Sequence, residues 1–159
     1  MSNYDPIERK SGSLLAVRLL LTCCMMEFFG PWLRDYSSSH VFHPEWVGHA
    51  RLHMMWLLGF MLFSGIANLY LIWFARPLRL IHLYVAAAWT GANLLGFWLA
   101  IVMVPVYDGL ITVPDTHYHI FGIDENVFGF SVLSTLYLVA IGILRLRVVP
   151  QLRTQDAQA

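Results

Sequence analysis

The sequence predicts an all-α integral membrane protein, a four-helix bundle with both termini in the cytoplasm. Of its 159 residues, 58% are hydrophobic and only 13% are charged, whereas a soluble domain carries about 25% charged residues. Four stretches are apolar enough, and long enough, to cross a bilayer, which takes roughly 20 residues each. Lys and Arg gather at one set of helix ends. Because the four stretches fill more than half of the chain, we expect a single domain over residues 1–159.

The composition also excludes several classes of protein. The formal net charge is zero, so the chain offers no excess of positive charge to a nucleic acid, and it is too apolar to be disordered. Cys23 and Cys24 are adjacent and cannot cross-link distant segments. The expected partners are therefore the lipid bilayer and a small lipophilic substrate, with a second copy or another membrane protein as further partners.

The helices are predicted over residues 14–33, 48–74, 80–107 and 125–148, with outer loops at 34–47 and 108–124. Cytoplasmic loops of membrane proteins carry the excess of Lys and Arg. This rule places the two long loops on the extracytoplasmic or lumenal side, and on that side the sequence has only Arg34 and Arg51. The residues on the predicted cytoplasmic side are Arg9, Lys10, Arg18, Arg76, Arg79, Arg145, Arg147 and Arg153.

The first helix contains an acidic residue, Glu27, about six residues from its outer end and so roughly 9 Å deep. A carboxylate at that depth costs a few kcal/mol unless it is paired, protonated or in a wet cavity. We expect Glu27 to be catalytic, as a proton donor or shuttle. The alternative is a structural ion pair with Arg34, Arg51 or a histidine.

The second helix carries a row of polar residues. Glu45 follows a proline and therefore indicates the first turn of a helix. His49 and His53 follow Glu45 at intervals of four residues, and Ser64 and Asn68 continue the same face. In lipid such a stripe is expected to face the bundle interior or a wet cavity.

Two histidines four residues apart on a helix are able to hold one metal ion. His49 and His53 are the predicted metal ligands, and His117 and His119 would join them if the second outer loop folds over the bundle. Mixed nitrogen and oxygen ligands suit zinc, iron or copper. The alternative is that the histidines lie solvated at the level of the lipid headgroups.

The predicted catalytic residues are Glu27, Glu45 and His53. Glu27 and His53 are expected at similar depth, and they would meet if the first two helices are neighbours. The predicted substrate contacts are Trp56, Ser64, Asn68 and Asn93. Asn93 has a structural alternative, since amides often join membrane helices by hydrogen bonds.

The fourth helix is preceded by Asp124, a residue type that favours the N-cap position. Its side-chain oxygen can accept hydrogen bonds from the first backbone amides of the helix. We therefore expect Asp124 to cap this helix.

Together these residues predict a membrane-embedded enzyme that acts on a small lipophilic substrate near the extracytoplasmic face of the membrane. Its chemistry would be either metal-assisted or acid–base. One alternative is a metal-free acid–base isomerase or cyclase. The other is a non-catalytic subunit that binds a metal or assembles with a membrane complex.

Overall fold

The computed structural model of the chain describes residues 11–111 and 118–156. Within these ranges the regular structure is helical apart from a hairpin of two two-residue strands, and turns and loops connect the helices. The elements are α1 (Gly12–Cys24), α2 (Met26–Asp35), α3 (Gly48–Leu69), a π-helical turn (Tyr70–Phe74), α4 (Leu80–Tyr107), β1 (His119–Ile120), β2 (Ile123–Asp124), α5 (Glu125–Ile143), a second π-helical turn (Leu144–Val148) and α6 (Val149–Asp156).

These elements join into four helical segments of spanning length: Gly12–Asp35, Gly48–Phe74, Leu80–Tyr107 and Glu125–Leu152. At 1.5 Å per residue each is roughly 36–42 Å long, which exceeds the roughly 30 Å of a hydrocarbon core. The prediction of an all-helical chain with four apolar helices is confirmed.

The first span is interrupted on both sides of Glu27. At Met25 the backbone N–H donates to the Thr22 carbonyl at 3.0 Å, a tighter turn than the α-helical one, and α2 begins at the next residue. Pro31 lies inside α2 and has no N–H, so the Glu27 carbonyl lacks its usual helical donor. Glu27 therefore lies in an irregular part of a spanning helix.

Arg18 joins α1 to the π-helical turn that ends the second span. Its Nε donates to the Ile72 carbonyl at 2.8 Å, and its guanidinium lies 4.1 Å from the centre of the Trp73 ring. Trp73 in turn donates from Nε1 to the Thr22 hydroxyl at 2.7 Å. These contacts fix the antiparallel register of the first two spans at this end of the bundle.

Two glycines bring helices close together farther along the bundle. A Cβ on Gly65 of α3 would lie 2.7 Å from Cζ of Phe29, and a Cβ on Gly91 of α4 would lie 2.5 Å from the Tyr137 hydroxyl. Neither distance is tolerated by a real side chain. α2 thus packs tightly on α3, and α4 packs tightly on α5.

The connection between α4 and α5 leads into α5 as the sequence predicts. The Asp124 carboxylate accepts hydrogen bonds from the backbone N–H groups of Asn126 at 2.9 Å and Val127 at 3.3 Å. The predicted N-cap role of Asp124 is confirmed.

The start of the second span differs from the prediction made for Glu45. α3 begins at Gly48, and Val47 before it is extended, with φ −65° and ψ 148°. The Arg51 guanidinium reaches back to the His43 carbonyl at 2.8 Å, which holds the preceding segment in turns. Glu45 is therefore not in the first turn of a helix.

Candidate functional site

Glu27 is buried in the bundle, with 1% of its surface exposed. Neither carboxyl oxygen has a hydrogen-bond partner among the described residues. Thr90 and Asn93 of α4 approach the carboxyl group as hydrogen-bond donors without forming a bond of normal length and angle, and Cys24 and the Tyr137 hydroxyl are near enough to interact with its charge. The acid therefore lies among neutral polar side chains rather than beside a cation.

The second span adds two more buried polar side chains at the same level. Ser64 and Asn68 are almost fully buried, and they flank Gly65, which packs against Phe28 and Phe29. The contact of Gly65 with the residues that follow Glu27 sets Ser64 and Asn68 at the depth of Glu27.

We call Glu27, Ser64, Asn68, Thr90 and Asn93 the Glu27 cluster. Polar atoms of Glu27, Ser64, Asn68 and Thr90 are buried without a hydrogen-bond partner in the part of the chain that the structure describes. Buried polar groups in proteins are normally paired, so several unpaired groups in one layer require an explanation. They are what a site that binds a polar group of a ligand would leave open.

The ion pair expected as an alternative role for Glu27 is not formed with Arg34 or Arg51. Arg34 donates to the Glu125 carboxylate at 3.1 Å, and Arg51 donates to the His43 carbonyl. Both guanidinium groups therefore have partners away from Glu27.

His49 and His53 form a pair on α3. Their Nε2 atoms are 3.0 Å apart, their ring centres are 4.5 Å apart, and the His53 ring stacks on Trp56 at 6.1 Å. Both histidines are exposed. They line an open groove of about 670 Å³ together with Glu45, Trp46, Val47, Ala50, Met54 and Leu57.

The expectation that Glu27 meets His53 is wrong. Gly65 lies against Phe28 and Phe29, so the antiparallel register sets Glu27 beside the residues around position 66. His53 is about thirteen residues away along α3, which is roughly 20 Å. Equal distances of Glu27 and His53 from their helix ends do not mean equal depth in the bundle, because α3 extends well beyond the end of α2 at Asp35.

The predicted polar stripe is divided for the same reason. Ser64 and Asn68 are buried under the first span, whereas Glu45, His49 and His53 are exposed beyond the end of α2. The stripe therefore does not face the bundle interior along its whole length.

The predicted substrate contacts are divided too. Trp56 is 70% exposed and lines a second open groove with His53, Leu57 and Phe60, away from the buried Ser64 and Asn68. Asn93 is half-buried and is a member of the Glu27 cluster, as Ser64 and Asn68 are.

Of the predicted four-histidine metal site, the three histidines that the structure describes, His49, His53 and His119, do not come together as one group. Within residues 11–111 and 118–156, no group of three or more His, Cys, Asp and Glu side chains is placed to hold a metal ion. His119 is exposed in β1, opposite Asp124 of β2. His117 lies outside the described residues.

Sequence reasoning assigned no role to two neighbours of Glu27, Thr90 and Tyr137. Thr90 lies one turn before Asn93 and next to Gly91, and this run of small and polar residues in an apolar helix is typical of helix contacts in membranes. Tyr137 gives no such signal, because its hydroxyl is placed by the packing of α5 against Gly91.

Comparisons with known proteins identify no relative: no protein-family model, no curated protein and no solved structure matches the chain.

Proposed function

We propose that this chain is a membrane-embedded enzyme that moves a proton on a small lipophilic substrate, with Glu27 as the acid–base residue. The observation that carries the proposal is the burial of the Glu27 carboxyl, 1% exposed and with neither oxygen hydrogen-bonded. A buried carboxyl without a partner weakens the fold. Such a group is favoured in a protein when a ligand or a reaction uses it.

The surroundings of Glu27 suit an isomerisation. The carboxyl would give its proton to one carbon of a C=C double bond, which leaves a cation on the other carbon. The carboxylate would then take a proton from the next carbon, on the far side of the cation, so that the double bond moves by one position and no co-reactant is consumed. Thr90 and Asn93 would orient the carboxyl or hold an oxygen of the substrate. Asn93 is half-buried, so the cluster reaches the bundle surface, where a lipophilic molecule could enter from the bilayer.

The proposal is tested by comparing lipids from cells that express the wild type, Glu27→Gln or Asp108→Asn. Glutamine has the size of Glu27, but its amide does not give and take a proton as a carboxyl group does. Asp108 is an exposed acid in the left-handed conformation at the end of α4, which asparagine also accepts. We expect chromatography with mass spectrometry to find a lipophilic compound whose amount changes when the wild type or Asp108→Asn is expressed. Its amount should not change when Glu27→Gln is expressed. Identical lipid profiles for all three proteins would contradict the proposal.

A non-catalytic role as a subunit of a membrane complex is the second candidate. It is favoured by the aromatic face of α3, where Trp56 is 70% and Phe63 is 71% exposed. Native electrophoresis of membrane extracts distinguishes the two functions. The chain is a subunit if Trp56→Ala and Phe63→Ala dissociate a larger complex and Glu27→Gln leaves the amount of every lipid unchanged.

We also propose that both termini lie in the cytoplasm and the His49–His53 groove lies on the opposite side, as the distribution of Lys and Arg indicates. Ser38 and Arg76 are exposed in loops at opposite ends of the second span. In a chain whose native cysteines are replaced by serine, an impermeant thiol reagent is expected to label Ser38→Cys in intact cells. It should label Arg76→Cys only after permeabilisation, and the reverse pattern would invert the orientation.

A further inference from the structure

We propose that His49 and His53 form a two-histidine binding site for a divalent transition-metal ion, separate from the Glu27 cluster. The proposal rests on the geometry of the pair and of the groove around it. It does not depend on the acid–base function proposed for Glu27.

The two imidazoles are hydrogen-bonded to each other through their Nε2 atoms, so the two nitrogens already lie within reach of one ion. Their Nε2 atoms are 3.0 Å apart, and imidazole nitrogen binds transition metals at about 2.0–2.1 Å. An ion at that distance from both atoms would have an angle of about 91–97° between its two metal–nitrogen bonds, which lies within the range of metal centres. The ion would take the place of the hydrogen between the two nitrogens, and that hydrogen would be carried on Nδ1 instead. Both rings would rotate so that their Nε2 lone pairs face the ion.

The arrangement is fixed by the local structure. His49 and His53 are four residues apart in α3, which sets them one above the other on the helix surface. The His53 ring also stacks on Trp56, which limits its rotation. A pair held in this way loses less conformational freedom on binding than two unrestrained side chains would.

The groove leaves coordination positions open. In the described part of the chain no third His, Cys, Asp or Glu completes a ligand set with the pair, although Glu45 lines the same groove. The remaining positions would be taken by water or by a ligand that enters the groove. Open positions are a property of metal sites that exchange ligands rather than of structural sites.

The ligand chemistry selects the class of ion. Imidazole nitrogens favour Cu²⁺, Ni²⁺ and Zn²⁺ over hard cations such as Ca²⁺, and among first-row divalent ions Cu²⁺ binds most tightly. The expected order of affinity is therefore Cu²⁺ before Zn²⁺, with no binding of Ca²⁺.

The test is titration calorimetry with Cu²⁺, Zn²⁺ and Ca²⁺ on the full chain, purified in detergent without a polyhistidine tag. The variants are His49→Ala, His53→Ala and, as a control that removes a histidine outside the pair, His43→Ala. His49→Gln and His53→Gln serve if an alanine variant does not fold. Electron paramagnetic resonance of the Cu²⁺ complex reports whether imidazole nitrogens bind the ion.

We expect saturable Cu²⁺ binding with nitrogen coupling, weakened about tenfold or more by either replacement in the pair and unchanged in His43→Ala. Glu27→Gln should bind Cu²⁺ as the wild type does, so loss of the lipid-dependent activity and loss of metal binding are separable. Absence of Cu²⁺ binding in the wild type, or equal affinity in His49→Ala, His53→Ala and the wild type, would overturn the proposal.

Discussion

At the residue scale, Glu27 illustrates what a sequence reveals about a site and what it leaves out. An acid in an apolar run is rare enough to be noticed from the sequence alone. The neighbours of Glu27 are not recognisable from the sequence. Thr90 and Tyr137 come from α4 and α5 and are placed by packing at Gly91. A sequence identifies a residue whose burial costs free energy. The partners of that residue depend on contacts between segments that are distant in the sequence.

The burial of Glu27 has a consequence for stability. Replacing it by methionine, which has a similar volume and no polar atoms, should stabilise the protein by about 1–3 kcal/mol, because two unpaired buried oxygens are removed. Thermal unfolding in detergent, followed by circular dichroism, measures the change. The same replacement at the exposed Glu45 should leave the unfolding temperature unaltered. A destabilised Glu27→Met protein would mean that the carboxyl makes favourable interactions in the fold.

His49 and His53 were partly predictable at this scale. The four-residue spacing correctly indicates that they lie on one face of a helix, and their contact bears this out. Their depth relative to Glu27 was not predictable, since the register of α2 on α3 depends on Gly65 and on the bonds of Arg18 to the end of the second span.

At the scale of the elements, close contacts between helices position the Glu27 cluster. α4 supplies Thr90 and Asn93, and the glycine between them allows Tyr137 of α5 to approach. Hydropathy predicts that α4 and α5 are apolar helices, but it carries no information about which residues form their contact.

The role of Gly91 is testable against a second glycine of the same helix. Gly91→Ala should destabilise the protein by about 1–3 kcal/mol, because the new methyl group would collide with the Tyr137 hydroxyl. An added Cβ at Gly96 meets nothing within 4 Å, so Gly96→Ala should be neutral or stabilising by up to about 1 kcal/mol. Thermal unfolding of the two variants gives the comparison, and equal effects would show that α4 and α5 do not approach at Gly91.

The interruption of the first span is an element-scale feature that the sequence only partly indicates. Pro31 predicts a missing helical hydrogen bond. The tight turn at Met25, by contrast, has no proline or glycine to signal it. Both features flank Glu27, so the backbone is irregular where the buried acid lies.

At the scale of the whole molecule, the low content of charged residues and the four long apolar stretches were sufficient to predict an all-helical chain with four helices of spanning length. The arrangement of the polar residues was not as predicted. A single histidine and carboxylate site was expected, whereas the described residues form two separate regions, the buried Glu27 cluster and the exposed His49–His53 groove. The difference arises because α3 extends beyond the end of α2, a property of the assembled bundle.

The central claim, that Glu27 moves a proton on a lipophilic substrate, is tested most directly by deuterium transfer. Membranes with the wild type or Glu27→Gln are incubated in D₂O with the lipid fraction that responds to expression, and the product is analysed by mass spectrometry. An acid–base isomerase adds a solvent-derived hydrogen to carbon, so the wild type should yield a product heavier by one deuterium, and Glu27→Gln should not. Equal amounts of product, or equal labelling, with both proteins would contradict the claim.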